Sequence, residues 1–374
     1  MVGTRGTLRG SQGSPRCLGA VSGFLLKLIR ESAELTQLQL AEKLGADVAS
    51  VQGWESGRRP LTALRAADLV GLRSRLLRYG AQPALLATLA DALQADLIIA
   101  ETVQAGGQLI EADEHPLGVT VHQCELTNLI TWPFTGIAPA PLRDLVTARV
   151  RRGPAPDQPT LTKDERTRFF DHLLVTADAS PHKDASLPRR QAIYLLGFDT
   201  RASTADWLRT EQHRALREAE RTEHVPSWVA VRSSAVALAH GGDRDPLRAF
   251  LRHTLATDRL EQANLNYWAY WVGEIDDVQV DDEFMHRVNP RDWGGARLLR
   301  HLMEGLQPGS GHTELNLHTV WALLLAHPTL LGNCPSLRAS VASTMESLTA
   351  DHDLSPEARR ELSDIGYAVR LADR

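Results

Sequence analysis

Between Gln37 and Arg59 the chain gathers residues suited to recognising a nucleic acid without transforming it. Gln52 can pair with adenine at N6 and N7, Ser50 can hydrogen-bond to either kind of base, and the methyl groups of Val48 and Ala49 can pack on thymine. Gly53, fifth of this set, brings no side chain, and a helix-interior glycine costs roughly 1 kcal/mol relative to alanine. Covalent chemistry has little to work with. The fourteen histidines are scattered, and there is no HExxH, no paired CxxC and no Walker-type loop. His122 and Cys124 are two apart but lack further ligands, and His240-Gly241-Gly242-Asp243 reads as a helix C-terminus with glycine caps. The expectation is a binding protein that is not an enzyme and uses no metal or cofactor.

The elements that must hold these residues are written locally. Thr36 and Gln39 form a capping box, each side chain able to bond the other's backbone amide, and so fix where a helix begins. Leu40 and Leu44 lie one turn apart on its inner face, with Ala41 leaving room for a crossing helix. Gly45 ends it, and Asp47 can cap a second helix in which Val51 and Trp54 turn inward. Val48, Ala49, Ser50, Gln52 and Gly53 are then left outward as a reading face.

This pattern resembles the Cro and phage-repressor type of helix-turn-helix, the XRE family, over about residues 24–85. The residues carrying the likeness are Thr36-Gln37, Leu40-Ala41, Leu44-Gly45, Val51, and Trp54-Glu55 followed by Ser56-Gly57-Arg58-Arg59-Pro60. The resemblance implies a recognition helix in the major groove, a phosphate contact from Gln37, and a structural ion pair of Arg30 with Glu55. Val48, Ala49 and Gly53 depart from the polar readers common in the family, so base contacts should be few. Phosphate contacts from Gln37, Lys43, Arg58 and Arg59 would supply much of the affinity.

Charge supports this placement. Residues 24–80 hold nine Lys or Arg against six Asp or Glu, a balance of +3, which leaves −8 for the rest of a chain whose total is −5. A length of 374 residues and a hydrophobic fraction of 43% suit two or three globular domains with a sizeable core. Three distant cysteines, Cys17, Cys124 and Cys334, give no disulfide framework and fit a reducing cytoplasm. The apolar run from Phe24 to Ile29 is broken by Lys27 and is too short for an export signal or a membrane span.

Four segments are expected: a disordered arm over 1–23, with Arg5, Arg9 and Arg16 within reach of DNA; the helix-turn-helix domain over 24–105; a connector over 106–160; and a helical sensor or dimerisation domain over 161–374. After the motif, Leu61, Leu64, Leu69, Leu72 and Leu76 make an apolar stripe, with Arg65, Arg73, Arg75 and Arg78 on a solvated face, and Pro83 opens a further helix. The connector is read from its Gly and Pro content. The last part is helical in rhythm, from a capping box at Thr162 and Glu165 to an N-cap at Ser355 before Pro356. Three segments there look alike, around Ala192, Ala235 and Ala269, and the second is similar to a HEAT repeat; a non-repetitive helical domain is the alternative. Aromatics cluster at Tyr267, Trp268, Tyr270 and Trp271, where Asn264, Asn266, Trp271 and Glu274 could line a ligand pocket, though core packing explains most of the cluster. The acidic run from Asp276 to Glu283 lacks calcium-loop spacing and reads as a solvated loop.

The expected fold is all-α: a five-helix helix-turn-helix domain plus a larger C-terminal helical domain, with helical repeats as one arrangement of it. The expected function is sequence-specific regulation through double-stranded DNA by a cytoplasmic homodimer. A small molecule or protein would act as effector on the C-terminal domain, with no membrane partner. The alternatives are an antitoxin or protein-interaction adaptor with autoregulatory DNA binding, and an enzyme hidden in the C-terminal domain.

Overall fold

The computed structural model describes residues 19–147, 156–179, 186–220, 225–255 and 257–373. The arm residues 1–18, including Arg5, Arg9, Arg16 and Cys17, lie outside the described residues. Among the described residues every regular element is a helix.

The helices are α1 (Ala20–Ser32), α2 (Gln37–Leu44), α3 (Val48–Glu55), α4 (Ala66–Arg78), α5 (Pro83–Ala105), α6 (Cys124–Thr135) and α7 (Arg143–Thr147). They are followed by α8 (Lys163–Asp178), α9 (Ser186–Leu196), α10 (Ala202–Ala219), α11 (Val225–His240), α12 (Asp245–Thr254) and α13 (Asp258–Trp271). The last are α14 (Phe284–Arg287), α15 (Ala296–Gly305), α16 (Thr313–Ala326), α17 (Leu330–Asn333), α18 (Pro335–Leu348) and α19 (Pro356–Ala372).

Two compact units result, one of Met1–Ala100 with Trp132–Thr162, the other of Glu101–Thr131 with Lys163–Arg374. This differs from the expected boundaries in two places. The first helix starts at Ala20, inside the expected arm, and the stretch expected as a connector contains α6 and α7. Gly and Pro broke the helical rhythm there, yet Leu129, Ile130 and Trp132 are fully buried, and Trp132 meets Phe24 edge to face at 5.3 Å.

In the first unit α1 buries Val21, Phe24, Leu25, Leu28 and Ile29. Its N-terminal amides, of Val21 and Ser22, donate to the two carboxylate oxygens of Asp96 on α5, at 2.9 and 2.8 Å. Orphan N–H groups at a helix start demand such an acceptor, and here it comes from another helix. Burial pushes Asp96 up to about 6 against the opposing pull of these bonds. The stripe expected after the motif begins as a tight turn over Leu61–Ala63 before α4, in which Leu72 and Leu76 are buried. By length and composition alone α5 could cross a membrane, and half of its most apolar window is buried within the protein.

In the second unit α11 and α16 are buried around most of their circumference and form the centre. Gly197, just after α9, lets it approach α11 closely: a β-carbon there would stand 2.8 Å from the Ala237 backbone. The similar segments noted in the sequence lie on α9, α11 and α13, and their Ala192, Ala235 and Ala269 are fully buried. At α19 the Ser355 hydroxyl accepts from the Ala358 amide at 3.2 Å, as expected. The acidic run is not wholly a solvated loop. Asp282 is buried and takes two hydrogen bonds from Arg190, at 2.7 and 2.5 Å, because a guanidinium buried on α9 requires a carboxylate.

Candidate nucleic-acid interface

The local signals act as the spacing requires. Thr36 accepts from the Gln39 amide at 3.2 Å while the Gln39 side chain accepts from the Thr36 amide at 2.8 Å, completing the capping box of α2. Gly45 ends α2 with φ at +65°, a conformation that costs glycine little. Asp47 then caps α3, accepting from the Ser50 amide at 2.5 Å, and that bond lowers its pKa. Two helices of eight residues are thus fixed end to end across a short turn.

What holds them against α1 is a buried carboxylate. Glu55 accepts from Arg30 Nε at 2.5 Å and Nη2 at 3.1 Å, and from the Gln37 amide at 2.7 Å. One side chain therefore joins α1, α2 and α3. Arg30 also donates to the Leu35 carbonyl at 2.7 Å, so its charge is satisfied on several sides. Gln37 has one N–H committed to Glu55, and its carbonyl accepts a long 3.4 Å bond from Gln52, so a phosphate would meet a pre-oriented amide. Close backbone contact completes the arrangement. A β-carbon on Gly23 of α1 would strike the Trp54 carbonyl, and Gly57, at φ +72°, lies against the backbone of Gly19 and Ala20.

The outward face differs in part from expectation. Ala49 and Gln52 are exposed, and Val48 and Ser50 are half-buried, so these four remain on the surface of α3. Gly53 is buried beneath the Arg59 side chain, whose Cδ would stand 2.9 Å from a β-carbon at that position. Arg59 donates from Nη1 to the Ser50 hydroxyl at 2.7 Å, and its amide bonds the Gly53 carbonyl at 3.0 Å. The glycine is thus a seat for an arginine rather than a reader. Trp54, expected in the core, is only half-buried, whereas Val51 is fully so.

Cations border this face. Lys43 and Arg58 are exposed; Lys43 lies 4.4 Å from the Tyr79 ring centroid and Arg58 bonds the Ser56 hydroxyl at 3.1 Å. Arg75, exposed on the face read as solvated, also donates to the Leu44 carbonyl at 2.5 Å, and the Tyr79 hydroxyl donates to the Lys43 carbonyl at 3.0 Å. The negative end of α2 is thereby covered by α4 and the residue after it.

Compared with known families, residues 26–71 match a helix-turn-helix family model. The N-terminal unit carries an XRE-type helix-turn-helix domain. Such a domain binds DNA and is regulatory rather than catalytic. Comparison of the chain with curated proteins and with solved structures gave no match. The matched stretch of the helix-turn-helix domain runs from the middle of α1 into α4 and contains every residue of the Arg30–Glu55–Gln37 network.

The residues expected to line a pocket in the second unit separate. Asn266 is a structural bridge, donating to the Met285 and Val288 carbonyls at 2.8 and 2.7 Å and accepting from Trp293 at 3.1 Å. Glu274 caps α15, accepting from the amides of Arg297 at 2.5 Å and Leu298 at 3.2 Å. Asn264 is fully buried on α13, with no hydrogen-bond partner for its amide group. Only Trp271 of the four borders the cavity of α11, α13 and α16. His122 bonds through its backbone amide to Gln191 at 2.8 Å, and burial pushes its ring down to about 3. His240 does end α11, followed by Gly242 at φ +92°. Among the described residues no group of three or more His, Cys, Asp or Glu is placed to hold a metal ion.

Missed in the sequence was the stacked pair His115 and His172, whose Nε2 atoms lie 3.1 Å apart, with Thr176 bonding His115 at 2.8 Å. Burial holds His115 down at about 4, so the pair is neutral near pH 7 and serves packing. The separation of 57 residues between them leaves no local signal.

Proposed function

We propose that the chain is a sequence-specific transcriptional regulator whose α3 enters the major groove, and that it acts as a cytoplasmic homodimer without enzymatic activity. The carrying observation is the Glu55 network, which holds α3 rigid against α1 and α2 and orients Gln37 beside a cation-bordered surface. A side chain already fixed before binding loses little entropy on contact. Val48, Ala49, Ser50 and Gln52 would meet base edges, with few hydrogen bonds among them. Gln37, Lys43, Arg58 and Arg59 would meet phosphates and supply affinity that falls with salt. A single small head binds weakly, so two heads would read half-sites about one helical turn, or a multiple of it, apart. The C-terminal unit would then serve dimerisation and response to an effector.

Selection of genomic fragments on the full-length protein at about physiological salt tests this reading. A symmetric motif enriched by the native chain and lost from an Arg58→Ala/Arg59→Ala variant supports it. Equal retention of all fragments by both proteins overturns it.

A further inference from the structure

The second unit contains a cavity of about 200 Å³ bordered by α6, α9, α11, α13, α15 and the start of α16. Its wall is aromatic. Tyr267 and Trp271 are stacked with planes 14° apart, and Tyr194 meets Trp271 edge to face at 5.6 Å. Into this wall is set Arg232 of α11, only 3% exposed. Its guanidinium carbon lies 3.9 Å from the Tyr267 ring centroid and 5.0 Å from that of Trp268.

Arg232 differs from the other arginines buried in this unit. Arg189 pairs with Glu211 and Arg190 with Asp282, each at 2.5 Å. Arg232 has no carboxylate within ion-pair distance among the described residues, and its Nε has no hydrogen-bond partner. The oxygens acting on it are the phenols of Tyr267 and Tyr194. A buried cation with no counter-charge is costly to keep, and such groups concentrate where a ligand supplies the missing charge. The three histidines around the cavity add none: burial holds His240 down at about 3 and His312 at about 4 and pushes His301 down as well, so all are neutral near pH 7 and can each donate one N–H. The wall therefore presents one uncompensated positive charge between aromatic faces.

We infer that this cavity is a binding site for a small planar aromatic carboxylate, its ring against Tyr267 and Trp271 and its carboxylate on Arg232. A cavity of roughly 150 Å³ holds benzene, so the space suits a one-ring acid. The forked N–H groups of a guanidinium match a carboxylate, and its flat face already rests on Tyr267. A role for the site as the effector pocket rests on the DNA-binding reading above; binding itself does not.

Calorimetric titration of the full-length protein, with no DNA present, tests binding alone. The probes are benzoate, nicotinate and phenylacetate, with benzamide as the uncharged counterpart of benzoate. At least one acid should bind saturably at one per chain, and benzamide should bind at least tenfold more weakly than benzoate if benzoate is that acid. Arg232→Met should weaken the acid at least tenfold and raise the melting temperature of the ligand-free chain, since it removes an unpaired buried charge. Asn128→Trp changes an exposed residue at the cavity rim and should block binding while leaving the melting temperature unchanged, which keeps the test decisive if the arginine variant does not fold. The inference is overturned if none of the acids binds the folded protein. It also fails if benzamide matches benzoate, or if binding survives in folded Arg232→Met or in Asn128→Trp.

Discussion

Removing the Glu55 carboxylate is the sharpest perturbation of the DNA-binding domain. In Glu55→Leu the Arg30 guanidinium, 7% exposed in the native chain, keeps only the Leu35 carbonyl at 2.7 Å and Glu31 at 3.5 Å. Stranding one partner of a buried pair costs about 3–5 kcal/mol, and Arg30→Met should cost a similar amount by stranding the carboxylate. The double variant Arg30→Met/Glu55→Leu strands no charge and should cost no more than either single change. The coupling between the two positions is then about 3 kcal/mol, the upper end for residues in contact. Hydrogen exchange of α1 to α3, followed by mass spectrometry in the four proteins, reads this as local opening raised by at least about 100-fold, and up to about 5,000-fold, in each single variant. DNA affinity should not recover in the double variant, because Gln37 loses the acceptor that orients it. Additive single effects, or affinity restored along with stability, would refute the assignment of Glu55 as the joint of the three helices.

Burial disfavours a charged His318, but hydrogen bonds to Glu261 at 2.9 Å and Glu361 at 2.6 Å outweigh it and push its pKa up to about 10. A raised pKa gives stability that is full below about 6.5 and is lost as pH climbs through about 10, so the native melting temperature should fall more steeply than that of His318→Gln between pH 8 and pH 10.5; parallel curves would contradict this. Asp96 is also raised, to about 6 from 3.8, which as an acid means stability present below about 4 and lost as pH rises to about 6. Relative to Asp96→Asn, the native chain should lose about 3 kcal/mol over that window in urea denaturation, and a constant difference would rule the titration out. On DNA, Lys43→Ala and Arg58→Ala should each reduce the slope of log K against log salt by about 0.9 if each side chain meets one phosphate, and an unchanged slope would remove that residue from the interface.

What could be read in the sequence was what bonds locally. The Thr36–Gln39 box, the Gly45 turn and the Asp47 cap each join residues no more than a few positions apart, so spacing alone encodes them. The Arg30–Glu55 pair spans 25 residues and was reached through family resemblance, not through spacing. Asp96 lies 74 residues from the Ser22 amide it caps, and nothing near either residue announces the other. The aromatic cluster on α13 was visible as composition. Its polar neighbours were misread because Asn266 and Glu274 are consumed by α14, α15 and the loops around them, while the charge that matters, Arg232, comes from α11. Gly53 carried a signal of a different kind: a glycine within a helix, at roughly 1 kcal/mol relative to alanine, asks for something that needs its space.

The seat of Arg59 on Gly53 also constrains how this surface can diverge. A side chain at position 53 cannot be accepted while the arginine lies across α3, so the two positions are sterically coupled. In diverged chains, alanine or serine at 53 should arrive together with a shorter or redirected residue at 59. Either change alone would leave a collision or an empty groove on α3.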